Sequence, residues 1–146
     1  MIREATLADV EKILDLGAEF WATTQFTETY DRDHTRLMVN ACLDQGLLAV
    51  LVVDGDIVGF IAGIKSFLLA SQQALMATEL AWWVDPEHRK GSSGLKLLKF
   101  MEKLAQKQGI KYWSMVSMEC SSPETAEKIY LSMGYKKSET NYMKVF

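Results

Sequence analysis

The stretch that most constrains this chain is Leu47–Val53, Asp54-Gly55-Asp56, Ile57–Ile64. Two β-rich apolar runs flank an Asp-Gly pair, and a short turn of that composition matches the right-handed twist of paired strands. An antiparallel hairpin therefore anchors the fold.

Other elements group around it. Met1–Ala5 reads as a short strand. Thr6 and Asp9 form a helix start, followed by Val10, Ile13, Leu14, Gly17 and Phe20 at helical spacing. A polar gap, Thr23 to Asp33, precedes a second helix with Leu37, Met38, Ala41 and Cys42 on one face, ended by Gly46. After the hairpin comes a looser loop at Ser66–Gln73, then a strand at Ala74–Val84. Leu97, Leu98, Met101, Leu104 and Ala105 mark a helix closed by Gly109, and Lys111–Met118 reads as a strand. Ser122-Pro123-Glu124 opens a helix carrying Ala126, Ile129, Tyr130 and Met133 and stopped by Gly134. The tail Tyr135–Phe146 reads as two short strands joined near Glu139–Asn141. Hairpin followed by a strand–helix–strand crossover predicts an α/β (α+β) fold. It has a mixed, mostly antiparallel central sheet with helices on both faces. Residues 1–146 are expected to form a single domain.

Bulk properties narrow the function. No apolar run approaches the ~20 residues of a membrane span, and Met1–Ala5 lacks the layout of a signal peptide, so a cytoplasmic location is expected. Net charge is −3 with scattered Lys and Arg, which argues against nucleic acid. Cys42 and Cys120 are too few and too distant for a disulfide framework, and His34 and His88 lack partners at metal-ligand spacing, so no metal is expected.

Between the strand ending at Val84 and the leucine-rich helix lies Arg89-Lys90-Gly91-Ser92-Ser93-Gly94-Leu95. Helix amino ends carry unpaired N–H groups and partial positive charge, and small residues let an anion approach them. The loop is either a simple turn or an anion seat. Its spacing fits neither a Walker loop nor a dinucleotide fingerprint.

Val84, Pro86, Arg89, Gly94, Leu97 and Leu98 fall in register with V-x-P-x-x-[RQ]-x-x-G-x-[GA] and a leucine-rich helix. This resembles the acyl-CoA motif of the GNAT superfamily of N-acetyltransferases, with Ser92 standing where the middle glycine normally sits. Ala126, Ile129, Tyr130, Gly134 and Tyr135 are similar to the family's second signature, although Pro123 takes the place of a frequent asparagine.

The resemblance implies acetyl transfer from acetyl-CoA to an amine by direct attack in a ternary complex, in a sheet splayed beside the CoA site. The backbone of Lys90, Gly91, Ser92, Ser93, Gly94 and Leu95 would seat the pyrophosphate, with Arg89 adjacent. The edge of Ala81, Trp82, Trp83 and Val84 would pair with the pantetheine arm, and a bulge at Trp82-Trp83 would help bind the thioester oxygen. Glu79 is the candidate base, with Glu119 or water as alternatives, and Tyr130 the candidate general acid. Each also has a structural reading, as a solvent-facing strand carboxylate and a core tyrosine. Phe20, Trp21, Phe26 and Tyr30 read as core, in a region that lines the family's acceptor pocket. A non-catalytic acyl-CoA-binding module is the alternative, and a homodimer, common in the superfamily, is one option for assembly.

Overall fold

A computed structural model of the chain describes residues 1–146. Its elements run β1 (Ile2–Glu4), α1 (Val10–Trp21), α2 (Arg32–Asp44), β2 (Leu48–Val53), β3 (Asp56–Leu68), β4 (Ser71–Val84), α3 (Ser93–Lys107), β5 (Ile110–Ser114) and α4 (Pro123–Ser132). The five strands lie in the order β1-β2-β3-β4-β5. The first three pairings are antiparallel and β4–β5 is parallel, the mixed sheet expected from the sequence. No helix is long and apolar enough to cross a membrane.

The Asp54-Gly55 turn closes the β2–β3 hairpin with positive φ at both residues, 51° and 90°, the geometry that two-residue hairpins favour. Each face of the sheet carries its own core. Val10, Ile13, Leu14 and Leu16 of α1 and Val39 and Cys42 of α2 pack on Val50, Phe60, Ala62 and Trp83. Burial pushes the Cys42 thiol up to about 11, so it stays protonated. On the other face, Leu97, Leu98, Met101, Leu104 and Ala105 of α3 pack on Leu47, Ala49, Ile61, Ala77 and Val84. The α3 stripe is the one its leucine spacing predicts.

Several sequence expectations are corrected. Leu37 is 68% exposed rather than part of the α2 contact face. Val39 and Cys42 are the α2 residues buried in the core, and that rotation leaves Leu37 outward while Arg32 and Arg36 pair with Glu11 of α1, Arg32 also with Asp15. Ser66–Gln73 is no loose loop: β3 runs to Leu68 and β4 starts at Ser71, a long hairpin whose pairing overrides the weak local pattern. β5 stops at Ser114, short of the expected Met118. The tail beyond Gly134 forms no strand, and Tyr142, Val145 and Phe146 lie exposed and join neither core.

The bulge is also displaced. Ala62 pairs with Ala81 and Gly63 with Glu79, leaving Leu80 as the extra residue, while Trp82 and Trp83 pair regularly with Ile61 and Phe60. The physical reason is parity. Ala77 and Val84 lie in one core although an odd number of positions separates them, and strict alternation would put them on opposite faces. The insertion at Leu80 restores the match.

Candidate active site

β4 pairs with β5 only from Leu75 to Thr78; the last register pair is Thr78 with Ser114. Beyond that point the strands part, and Glu79 is the first residue of β4 inside the gap. Gly63 donates its N–H to Leu47 and Asp85 donates to Val58. In this register Glu79, Trp82 and Val84 therefore turn their backbone groups to the open edge of β4.

Glu79 is 6% exposed. Its Oε2 accepts a 3.1 Å hydrogen bond from the Val116 N–H. Burial disfavours the carboxylate and lifts its pKa from 4.5 to about 7, with the Val116 bond opposing the rise. The carbonyl of the same residue accepts the Tyr130 hydroxyl at 2.9 Å. One peptide segment past β5 thus ties the strand carboxylate to the α4 phenol. Burial, and secondarily the Glu79 charge, push the Tyr130 pKa well above the ordinary phenol range. The Tyr130 ring lies 6.3 Å from Trp82 and 5.6 Å from Tyr135 between centroids. Tyr135 in turn donates to Glu102 Oε1 at 2.7 Å.

The loop is built as follows. Asp85 caps the turn Pro86–His88 by accepting the Glu87 N–H at 2.9 Å. Gly91 has φ +86°, open to glycine and strained for other residues, and it redirects the chain into α3. Ser92 precedes the helix without spending its hydroxyl on a cap. The first helical bond runs from the Lys96 N–H to the Ser92 carbonyl. The N–H groups of Ser93, Gly94 and Leu95 therefore precede any intrahelical acceptor. No acid stands in the first turn of α3. Gly94 packs under Trp82, whose ring would lie 3.4 Å from a Cβ there.

Arg89 is folded back rather than extended. Its Nε donates to the Val84 carbonyl at 2.7 Å and its guanidinium lies 4.3 Å from the Trp83 ring centre. It fixes the end of β4 and occupies one edge acceptor, while Lys90 is exposed in the loop and Lys96 in the first turn of α3. Trp83 faces α1, with its ring 6.2 Å from Phe20, whereas Trp82 faces α3. Both indole N–H groups are buried without a partner. Glu119 is exposed in a turn before α4.

The gap, the helix start and the carboxylate–phenol link thus converge on one edge of β4. A family model described as an acetyltransferase (GNAT) domain matches residues 44–137, from the end of α2 past α4. The chain belongs to the GNAT acetyltransferases. It is an acyltransferase enzyme of a family whose acyl donor is acetyl-CoA. No curated protein matches this acetyltransferase in sequence. Among solved structures, the ribosomal-protein-alanine N-acetyltransferase of Brucella melitensis biovar Abortus 2308 is similar with TM-score 0.74 and 16% identity, over 100% of this chain and 99% of its own. The apo aminoglycoside 6'-N-acetyltransferase of Acinetobacter haemolyticus gives 0.73 and 13%, over 100% and 97%. An aminoglycoside N-acetyltransferase in complex with CoA gives 0.77 and 14%, over 100% and 93%. Identities this low establish a common fold.

The acetyltransferase thus has Glu79, Tyr130, Trp82 and the 90–95 loop around one gap, while Trp83 and Arg89 support it from the opposite face and the strand end. Sequence reasoning missed Val116, which acts through its backbone and carries no side-chain signal. It also missed Leu80, whose role follows from register. The odd spacing between Ala77 and Val84, both apolar, is the one trace of that bulge in the sequence.

Proposed function

We propose that this acetyltransferase moves the acetyl group of acetyl-CoA to a primary amine of a small molecule or peptide, by direct attack in a ternary complex. Residues 1–146 act as one transferase domain in this reading. The observation that carries it is Glu79: a buried carboxyl at the parting of β4 and β5, with a pKa of about 7 and a backbone link to Tyr130.

The residues fit the donor. The N–H groups of Ser93, Gly94 and Leu95, the uncommitted Ser92 hydroxyl and the absence of acid in the first turn of α3 suit a pyrophosphate. The buried, unpartnered Trp82 indole N–H beside Gly94 is an orphan that a ligand oxygen would satisfy. The edge groups of Trp82 and the Val84 N–H suit the amides of the pantetheine arm.

Acetyl-CoA supplies the activated acyl group. A primary amine attacks only when neutral, and at neutral pH most such amines are protonated. Glu79, half-ionised near pH 7, takes that proton directly or through water. Backbone N–H groups where β4 bulges at Leu80 would meet the oxygen on which charge builds. Tyr130 would exchange its Val116 acceptor for the departing sulfur. Its hydroxyl is the donor placed to meet the charge that builds on that sulfur, the role of a general acid.

The test has two arms. Acetyl-CoA at 100 times its Kd should stabilise the chain by about 2.7 kcal/mol, and an amine panel should release free CoA thiol. Stabilisation by ATP instead of acetyl-CoA, or no thiol release with any amine, would refute the reading.

A further inference from the structure

A cavity of about 250 Å³ opens between α1, α2 and the sheet, and Leu80 and Ala81 of the bulge are among the residues that line it. Phe20, Val39, Phe60 and Ala62 also line it, 11 of its 13 lining residues are hydrophobic, and no charged side chain is among them. It is a half-open pocket, far larger than the water-sized voids that native cores leave. Gly17 helps to make it. A Cβ there would lie 3.0 Å from the Tyr30 hydroxyl, which now donates to the Leu14 carbonyl at 2.9 Å. The one phenol on the wall thus has its proton already committed. Leu80, 40% exposed, shows an apolar side chain on the bulged strand that carries Glu79 into the gap.

On the strength of the acetyl-transfer reading above, we propose that this cavity receives the body of the acceptor. The acceptor class is then a primary amine on an apolar, aryl-sized group. A polycation would have to shed water from its further charges with no carboxylate to meet them on this wall, which is costly. A phenyl ring gains instead. A dry cavity of about 150 Å³ suffices for benzene, so the larger volume here holds a ring and a short tether. The amine end then lies at Leu80–Ala81, where the bulged strand faces the gap.

The test compares phenethylamine, ethylamine and spermidine as acceptors, and also measures phenethylamine binding calorimetrically without acetyl-CoA. From the value of burying a phenyl-sized group, phenethylamine should exceed ethylamine in kcat/KM by roughly 10- to 100-fold and should also exceed spermidine. Ala62→Leu, which fills the cavity, should weaken phenethylamine binding at least about tenfold, while the thermal shift from acetyl-CoA is retained. Equal use of ethylamine, a preference for spermidine, or phenethylamine binding unchanged in Ala62→Leu overturns the proposal. Absence of phenethylamine binding to the unmodified protein overturns it even if the variant does not fold. Phenethylamine binding with no thiol release from any amine of the panel would remove the acetyl-transfer reading and leave an apolar amine site, whereas thiol release from other amines but not from phenethylamine overturns the cavity assignment alone, so the two failures are distinguishable.

Discussion

Replacing Glu79 by Gln should make the protein more stable and less active at the same pH. Burial raises the Glu79 carboxyl from 4.5 to about 7, and each tenfold change in proton affinity is worth about 1.4 kcal/mol. Holding the ionised side chain in the folded protein therefore costs about 3 kcal/mol. Because the folded value is the raised one, the neutral form's contribution to stability is complete below pH 4.5 and is lost as the pH climbs through 7. Glutamine keeps an oxygen for the Val116 N–H and never ionises. At pH 4 the two proteins should melt within a degree or two of each other. At pH 8 the variant should melt higher by roughly 6–12 °C, from the usual Tm response of a domain near this size. Its kcat/KM should fall by ~10²–10⁴ as the base is lost, and the limb of the pH profile near 7 should disappear. Scanning calorimetry at both pH values and initial rates across pH 5.5–9 read these quantities. A variant no more stable than the unmodified protein at pH 8, or one that keeps the limb near 7, would show that Glu79 is not the buried titrating base.

Three further outcomes can be measured directly. Tyr130→Phe removes the 2.9 Å bond to the Val116 carbonyl; it should lower kcat at least about tenfold with acetyl-CoA affinity little changed, and an unaltered kcat would remove Tyr130 from the chemistry. Gly91→Ala forces a side chain into φ +86°, which costs about 1–2 kcal/mol, so both Tm and acetyl-CoA affinity should drop; an unchanged pair would mean the loop geometry does not matter. Ser92→Gly should bind acetyl-CoA as before whereas Ser92→Leu should bind at least about tenfold more weakly, because bulk at the helix start blocks the approach of an anion; isothermal titration reads both, and equal affinities would rule that seat out.

Local chemistry settled much of this molecule in advance. The Asp54-Gly55 turn adopts the positive φ angles that its residue types favour, and the Leu97–Ala105 stripe faces the core that its spacing requires. The loop before α3 could be read because glycine and serine announce an open backbone at a helix start. Tyr130 was legible as a candidate only through its place in the second signature, and Glu79 only through its place on the strand that leads into the acyl-CoA motif. What brought them together, Val116, was not legible, since backbone groups are alike at every position and only the chain path selects one. Leu37 misled because helical spacing permits more than one apolar face, and packing of Val39 and Cys42 into the core chose between them. The tail misled because strand-like residue types form a strand only where they find a pairing partner, and the residues beyond Gly134 pair with none.

The sequence by itself determined the hairpin, the α3 stripe, the small-residue helix start and the mixed class of the sheet, because each rests on forces between residues close along the chain. Tertiary structure alone decided where β4 bulges, where β4 and β5 part, and how strongly Glu79 holds its proton. Those depend on packing two cores against one strand at once, and on water excluded by residues far away in sequence. A bulge that keeps Ala77 and Val84 in one core also leaves Leu80 at the rim of an apolar cavity, and no local pattern encodes that coupling.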